Sequence, residues 1–382
     1  MGEVMEVAQA KVSKRRLMSL DALRGFDMFW ILGGEVLFAG LLAWTGWQGW
    51  QWFDTQMHHS EWHGFTFYDL IFPLFIFLSG VALGLSPKRL DKLPIAKRMP
   101  LYIHAVKRLL LLLFFGILYN HGWGTGVPVV LDEVRYASVL GRIAFAWFFA
   151  AILVWHTCLR TQIIIMLGIL VGYALLQLFS PVPGYGAGSF TPEGSINAFV
   201  DTHFLPGITY QNRPLDPEGI LSTIPAVANA LAGVFVGHFI IKPHPKGEWF
   251  KVVYMLVAGA AFLGLGWLLD FIVPVNKELW TSSFTLVTIG WSLILLTVFY
   301  AIVDLLKWQT LAFPFVVIGC NAIIIYLASS LIDWKYIAQG LFGGIINASP
   351  AAGQQLVAVI SLLLVQWLLL FWMYRRNIFI KV

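Results

Sequence analysis

His59 stands in a polar run, His58-His59-Ser60-Glu61-Trp62-His63-Gly64, with the carboxylate of Asp69 ten residues after it. An imidazole near its ordinary pKa can take a proton from an amine or hydroxyl, or can itself attack an acyl donor. Metal binding would need another spacing. No His-Glu-x-x-His pattern is present, and Gly64 interrupts any helix that would align His59 with His63. A catalytic histidine is therefore expected, and no metal is predicted. Just upstream, one apolar stretch carries Asp21, Arg24, Asp27 and Glu35. Ionisable groups in a hydrocarbon-spanning segment face a bundle interior or a water-filled cavity and mark a functional site by default.

The elements that must position these groups follow from composition. With 59% hydrophobic residues, 12% charged residues and a mean hydropathy of +0.77 over 382 residues, the chain is too apolar for a soluble domain. The fold class expected is an all-α, polytopic transmembrane bundle. Apolar runs long enough for a hydrocarbon core of about 30 Å fall roughly at 17–43, 65–86, 102–120, 137–158, 161–179, 218–241, 250–273, 281–304, 311–331 and 354–374, which predicts ten helices. A basic segment 1–16 precedes one membrane domain, 17–374, and a tail 375–382 follows it. No internal repeat is apparent. The outer interval at about 180–217 is rich in Pro and Gly and favours turns and extended chain over helix.

Lysine and arginine fix the orientation, because short cytoplasmic loops retain them. With ten alternating helices, one side holds Lys11, Lys14, Arg15 and Arg16, the cluster from Lys88 to Arg108, and then Arg160, Lys242, Lys246, Lys251, Lys307, Arg375, Arg376 and Lys381. The other side holds only Arg135, Arg142, Arg213, Lys277 and Lys335. Both termini are predicted to be cytoplasmic. The same retention explains a pI of about 9.1 and leaves little reason to expect nucleic acid as a partner. Cys158 and Cys320 both fall inside the apolar runs and read as small core residues rather than a disulfide. No cleavable signal is expected, since Asp21 and Arg24 interrupt the first apolar run. Trp44, Trp47, Trp50 and Trp52 crowd the first outer loop, which suits an interfacial belt, with sugar stacking as the sharper alternative.

Several residues carry two readings each. Glu35 can bind an ammonium, orient His59 or accept its proton, or can simply pack inside the bundle. Asp21 and Arg24, three apart on a helix, can form a structural ion pair or meet a ligand near the inner boundary. Asp69 suits the start of the second helix and can hold an imidazole tautomer. Arg142 and Asn321 need polar partners within the bundle. Lys107 and Arg108, with Lys97 and Arg98, offer charge for phosphates, although topology alone would place them there. No Walker A or Gly-x-Gly-x-x-Gly cradle is present.

The segment Ser19-Leu20-Asp21-Ala22-Leu23-Arg24-Gly25, followed by the run from His59 to Pro73, resembles the heparan-alpha-glucosaminide N-acetyltransferase family. Segments resembling later parts of that family follow in the same order: Val139–Ala144, Asp216–Ile224, Pro274–Ser283 and Gly319–Ala322. The resemblance covers nearly all of the chain after about residue 15. It implies acetyl transfer from cytosolic acetyl-CoA to the amine of a glucosamine on the opposite side of the membrane. The family's active histidine, three before Trp in His-x-x-Trp-Asn-Gly, corresponds to His59. Two departures stand out: His63 replaces the Asn of that pattern, and Glu35 falls where the family has an Asn. The absence of the extra luminal segment and preceding helix of lysosomal members leads to the expectation of a bacterial inner-membrane protein.

His59, Glu35 and Asp69 would act in catalysis. Asp21, Arg24, Lys107, Arg108, Arg142 and Asn321 would hold acetyl-CoA, and Trp62, His63 and Glu218 would meet the acceptor. Acetyl-CoA, an amino sugar, membrane lipid and a second copy of the chain as a homodimer are the expected partners. His59 would work either as a general base or as an acetyl carrier. The rival readings are an amino-sugar permease and an O-acetyltransferase of cell-surface glycans.

Overall fold

The structure, a computed structural model, describes residues 17–86, 88–90, 93–124 and 128–380. The basic residues Lys11, Lys14, Arg15, Arg16, Lys92 and Lys381 lie outside the described residues. The chain begins with α1 (Met18–Ile31), a 3₁₀ turn (Gly34–Val36), α2 (Leu37–Thr45), α3 (Gly49–Gln56), α4 (Phe67–Gly84), α5 (Ile95–His121), α6 (Val139–His156) and α7 (Leu159–Phe179). A two-residue hairpin follows, β1 (Pro181–Val182) and β2 (Gly186–Ala187), with Pro181 opposite Ala187. Then come α8 (Ile196–Phe204), α9 (Thr223–Ile241), α10 (Glu248–Asp270) and α11 (Ser282–Phe299), which runs on as a π-helical turn (Tyr300–Leu305). The last helices are α12 (Gln309–Gly319), α13 (Ala322–Leu331), α14 (Trp334–Ala348) and α15 (Gln354–Arg375).

Eight of these helices are long and apolar enough to cross a membrane, and two pairs bent by more than 40°, α1 with α2 and α12 with α13, raise the number to ten if each pair makes one span. Each crossing coincides with one of the ten apolar runs, so the chain is a multi-pass helical membrane bundle. The bends were not expected. The first pair turns through 65° at Gly33, whose φ of +122° suits glycine, and the second turns through 55° at Cys320-Asn321.

Backbone contact between helices depends on glycine. A Cβ on Gly25 of α1 would lie 1.7 Å from the Phe315 carbonyl oxygen of α12, and one on Gly319 would lie 1.9 Å from the Asp21 carbonyl oxygen. Between helices that all face lipid or one another, such close approach supplies the dispersion contact that hydrophobic exclusion does not. It also holds Asp21 and Arg24 toward the bundle interior rather than toward lipid.

Two expectations need correction, and one further helix was not expected. Cys158 caps α7 in the short turn after α6 and is exposed, while Cys320 occupies the α12–α13 break, so neither thiol lies inside a continuous helix. The outer interval is not all turn and extended chain, because α8 forms within it. There Ser195 caps the helix by accepting from the Ala198 amide at 3.1 Å, and Ala198 packs with Leu215 and Leu279. The run after α13 holds a further helix, α14, whose 15 residues are too few to span.

Gly319→Val should lower thermal stability in detergent by about 3 kcal/mol or more, because overpacking against backbone cannot relax through a side chain. Gly168→Val on α7, where nothing lies within 4 Å of the added Cβ, should leave melting nearly unchanged. Equal melting of the two variants would contradict the packing described.

Candidate functional site

Asp69 is where the histidine run meets the bundle. Its carboxylate is fully buried, and Oδ2 accepts from the Thr66 amide at 3.1 Å, completing a capping box at the start of α4. The same oxygen accepts from the Ser60 hydroxyl at 2.8 Å and the Ser60 amide at 3.2 Å. Oδ1 lies 2.8 Å from His59 Nδ1. A buried carboxylate is an acceptor, so the network assigns the proton to Nδ1 and leaves the Nε2 lone pair available. The His59 side chain is 51% exposed and packs against the Tyr68 ring, with centroids 4.8 Å apart.

Lys277 reaches this pair from the loop between α10 and α11. Its Nζ is 3.5 Å from Asp69 Oδ1, 2.8 Å from His59 Nδ1 and 3.0 Å from Nε2. The two ring nitrogens direct their polar bonds apart, so a group close to both is in line with neither. Burial lowers the Lys277 pKa below the ordinary lysine value, against the opposing pull of the Asp69 carboxylate.

A cavity of about 790 Å³ starts at this cluster and runs through the bundle. At one end it is lined by His59, Tyr68, Tyr119, Glu218 and Lys277, and at the other by Leu17, Asp21, Arg24, Ser86, Arg108 and Ile380. Tyr68 and Leu85, at opposite ends of α4, both line it, and 17 residues at 1.5 Å each separate them by about 25 Å. Apolar side chains such as Met28, Phe75 and Ile143 fill the wall between. The cavity therefore joins the histidine face to the basic face through most of a bilayer's hydrocarbon depth.

The far end carries two guanidinium groups. Arg24 pairs with Asp21 at 3.6 Å, and Arg108 stacks on Trp147 with its guanidinium carbon 4.0 Å from the ring centroid. The Nε of Arg108 is buried without a hydrogen-bond partner among the described residues. Asp21, Arg24 and Arg108 thus share one mouth, whereas Lys107, next along α5, is exposed and does not line the cavity.

Other expected site residues have structural partners instead. Arg142 does not line the cavity. It is 2% exposed, donates to the Pro217 carbonyl at 2.5 Å and to Ser222 Oγ, and lies over the Trp280 ring at 4.6 Å. Asn321 is buried away from the lining and holds the tail, donating to the Ile378 carbonyl at 2.9 Å and accepting from the Ile380 amide at 3.1 Å. His63 Nε2 meets Asp270 at 2.8 Å, outside the cavity. Trp62 donates to the Phe190 carbonyl at 2.9 Å and packs against the Ala198, Leu215 and Leu279 cluster. Glu35 does not line the cavity, although it neighbours Tyr68, which does. Glu218 does line the cavity, where it meets Arg135 at 2.5 Å.

Sequence reasoning missed Lys277, Tyr68 and Arg135. A signal existed for two of them, since Lys277 and Arg135 are cations on the face that otherwise excludes cations. Arg135 grips Asp216 with two bonds, of 2.9 and 2.8 Å. Burial alone would lower its pKa, yet the Asp216 and Glu218 carboxylates hold it above the ordinary arginine value. Among the described residues no group of three His, Cys, Asp or Glu side chains is placed to hold a metal ion.

Comparison with known proteins adds an independent line. Residues 16–186 match a family described as a domain of unknown function (DUF5009). The chain is 25% identical to human heparan-alpha-glucosaminide N-acetyltransferase over 96% of its own length, and 24% identical to the mouse protein of that name over 97%. It spans about 60% of the length of these relatives.

Beside the site, Asp201 of α8 accepts from the Ile220 amide at 2.9 Å, and burial raises its pKa to about 6. The folded chain therefore binds this proton more tightly than the unfolded chain does. Stability from Asp201 is fully present below about pH 4 and drains away, by about 3 kcal/mol, as pH rises through 6. Hydrogen exchange corrected for intrinsic rates should show better protection of the α8 amides at pH 5 than at pH 7.5, and Asp201→Asn should remove the difference. Equal protection of the wild type at both values would contradict this.

Proposed function

We propose that the protein is a transmembrane N-acetyltransferase that moves acetyl from acetyl-CoA, entering from the basic face, to the amine of a glucosamine-type sugar on the opposite face. The observation that carries this reading is the single cavity joining paired guanidinium groups at one mouth to an Asp–His pair at the other. Two substrates confined to opposite sides of a bilayer need such a passage to react. The names of the human and mouse relatives support the same chemistry.

In this reading Arg24 and Arg108 hold the phosphates of the donor by charge-assisted bonds, and its long thioester arm lies along the apolar wall. The acceptor amine, once deprotonated, attacks the thioester carbonyl. A carbon–nitrogen bond forms, the carbon–sulfur bond breaks, and the thiolate leaves with the electron pair. His59 Nε2 takes the amine proton, while Asp69 fixes the tautomer and stabilises the imidazolium. Lys277 is positioned beside the ring to stabilise the oxyanion that develops on the carbonyl. Glu218, held by Arg135, offers an acceptor for a sugar hydroxyl at the same mouth.

Purified protein given acetyl-CoA and glucosamine should release CoA and form an acid-stable, base-stable amide. His59→Ala should lower kcat by roughly 100-fold or more, the scale of general-base catalysis, and Asp69→Asn should lower it by a comparable factor through the wrong tautomer. Labelled sugar crossing a bilayer without acetyl-CoA, and no CoA release, would sink the reading in favour of a permease. A product lost in mild base would assign O-acetylation. Labelled acetyl retained on wild-type protein without acceptor, and absent from His59→Ala, would assign the carrier route instead of direct transfer.

A further inference from the structure

A second cleft, of about 310 Å³, lies on the outside of the bundle between α7 and α10, with α9 and α11 as its floor. Its walls are apolar, among them Ile163, Phe239 and Phe262, and no carboxylate lines it. The flanking helices turn apolar side chains outward, such as Val171 at 58% and Val257 at 64% exposure. In a multi-pass membrane bundle such a flank faces hydrocarbon, so an acyl chain is what meets the cleft laterally.

The cleft also has a polar end. His238 and Lys242 line it four residues apart at the end of α9, on one helix face and at the basic side of the bundle. His238 Nε2 is buried without a hydrogen-bond partner among the described residues. Buried polar groups are rarely left unbonded, and those that are call for a ligand, an ion or a water. Lys242 is exposed at the mouth. The nearby carboxylate of Glu248 does not compete for these groups, being bonded to Lys251 at 3.0 Å and to the Tyr300 hydroxyl at 2.5 Å. Tyr254 adds an amphipathic ring to the rim, exposed by 55%.

We infer that this cleft is a binding site for an anionic phospholipid: an acyl chain lies between α7 and α10, and the phosphodiester accepts from His238 Nε2 and pairs with Lys242. Interhelical basic pockets on the cytoplasmic side suit such head groups, and the site is separate from the trans-bundle cavity. The inference does not depend on the proposed acetyl transfer.

The test uses the full chain in detergent, delipidated and mixed with dioleoyl phosphatidylglycerol or dioleoyl phosphatidylcholine, with retained lipid counted by native mass spectrometry. Phosphatidylglycerol should be retained at lower concentration than phosphatidylcholine. Lys242→Gln should weaken it roughly fivefold, the scale of one interfacial cation, and adding His238→Gln should weaken it further, with phosphatidylcholine unchanged. Arg375→Gln, which removes a cation at the same face outside the cleft, should change neither. Lys242→Gln is a surface change, so it keeps the test valid if the double variant fails to fold. Equal retention of the two lipids, no effect of Lys242→Gln, the same effect from Arg375→Gln, or equally tight binding of glycerol 3-phosphate would each overturn the inference.

Discussion

A carboxylate buried at a membrane boundary must have every oxygen bonded, and Asp69 meets that demand by joining three parts of the chain. Oδ2 closes the first turn of α4 through Thr66 and gathers in Ser60. Oδ1 holds His59 and attracts Lys277. One buried charge therefore sets the start of a helix, the path of the histidine run and the tautomer of the imidazole. Removing it would leave half of the α4 capping box unmade and a ring free to rotate, so fold and chemistry are coupled at this one group.

The mouth on the histidine face is framed by cations, on the side of the bundle where the sequence holds few of them. Of the five cations on this face, Arg135, Arg142, Arg213, Lys277 and Lys335, the first four hold loop segments around the cavity. Arg135 binds Asp216 and Glu218, Arg142 binds Pro217 and Ser222, Arg213 binds Glu278, and Lys277 meets Asp69. Cations retained against the export bias have a local partner that offsets their desolvation. The histidine run is tied down by the same logic in neutral form, through Asn276 donating to the Trp62 carbonyl at 2.8 Å and the Gly64 amide donating to the Val275 carbonyl at 2.9 Å.

Much of the fold was legible in the sequence because hydrocarbon thickness imposes one length on every crossing, and all ten apolar runs correspond to a helix or bent pair. The bends were not legible. Gly33 and Asn321 act through a local φ and through bonds to a tail distant in sequence, neither of which changes mean hydropathy. Of the candidate site, His59, Asp69, Asp21, Arg24, Arg108 and Glu218 come together on one cavity or its wall. Trp62, His63, Arg142 and Asn321 are polar or aromatic for a different reason, since each bonds a loop or the tail to the bundle. Residue type announces that a buried polar group needs a partner, but not whether that partner is protein or ligand.

Passage of acetyl through the cavity from the basic face to His59 is what a sidedness experiment tests directly. Protein reconstituted in sealed vesicles, with its basic face inward and acetyl-CoA trapped inside, should acetylate an impermeant amino sugar added outside, and CoA should remain within. Phe75→Trp in the apolar wall should stop transfer while leaving the Asp69–His59 pair intact. Equal acetylation when acetyl-CoA is supplied only outside, or unimpaired transfer by Phe75→Trp, would contradict the account.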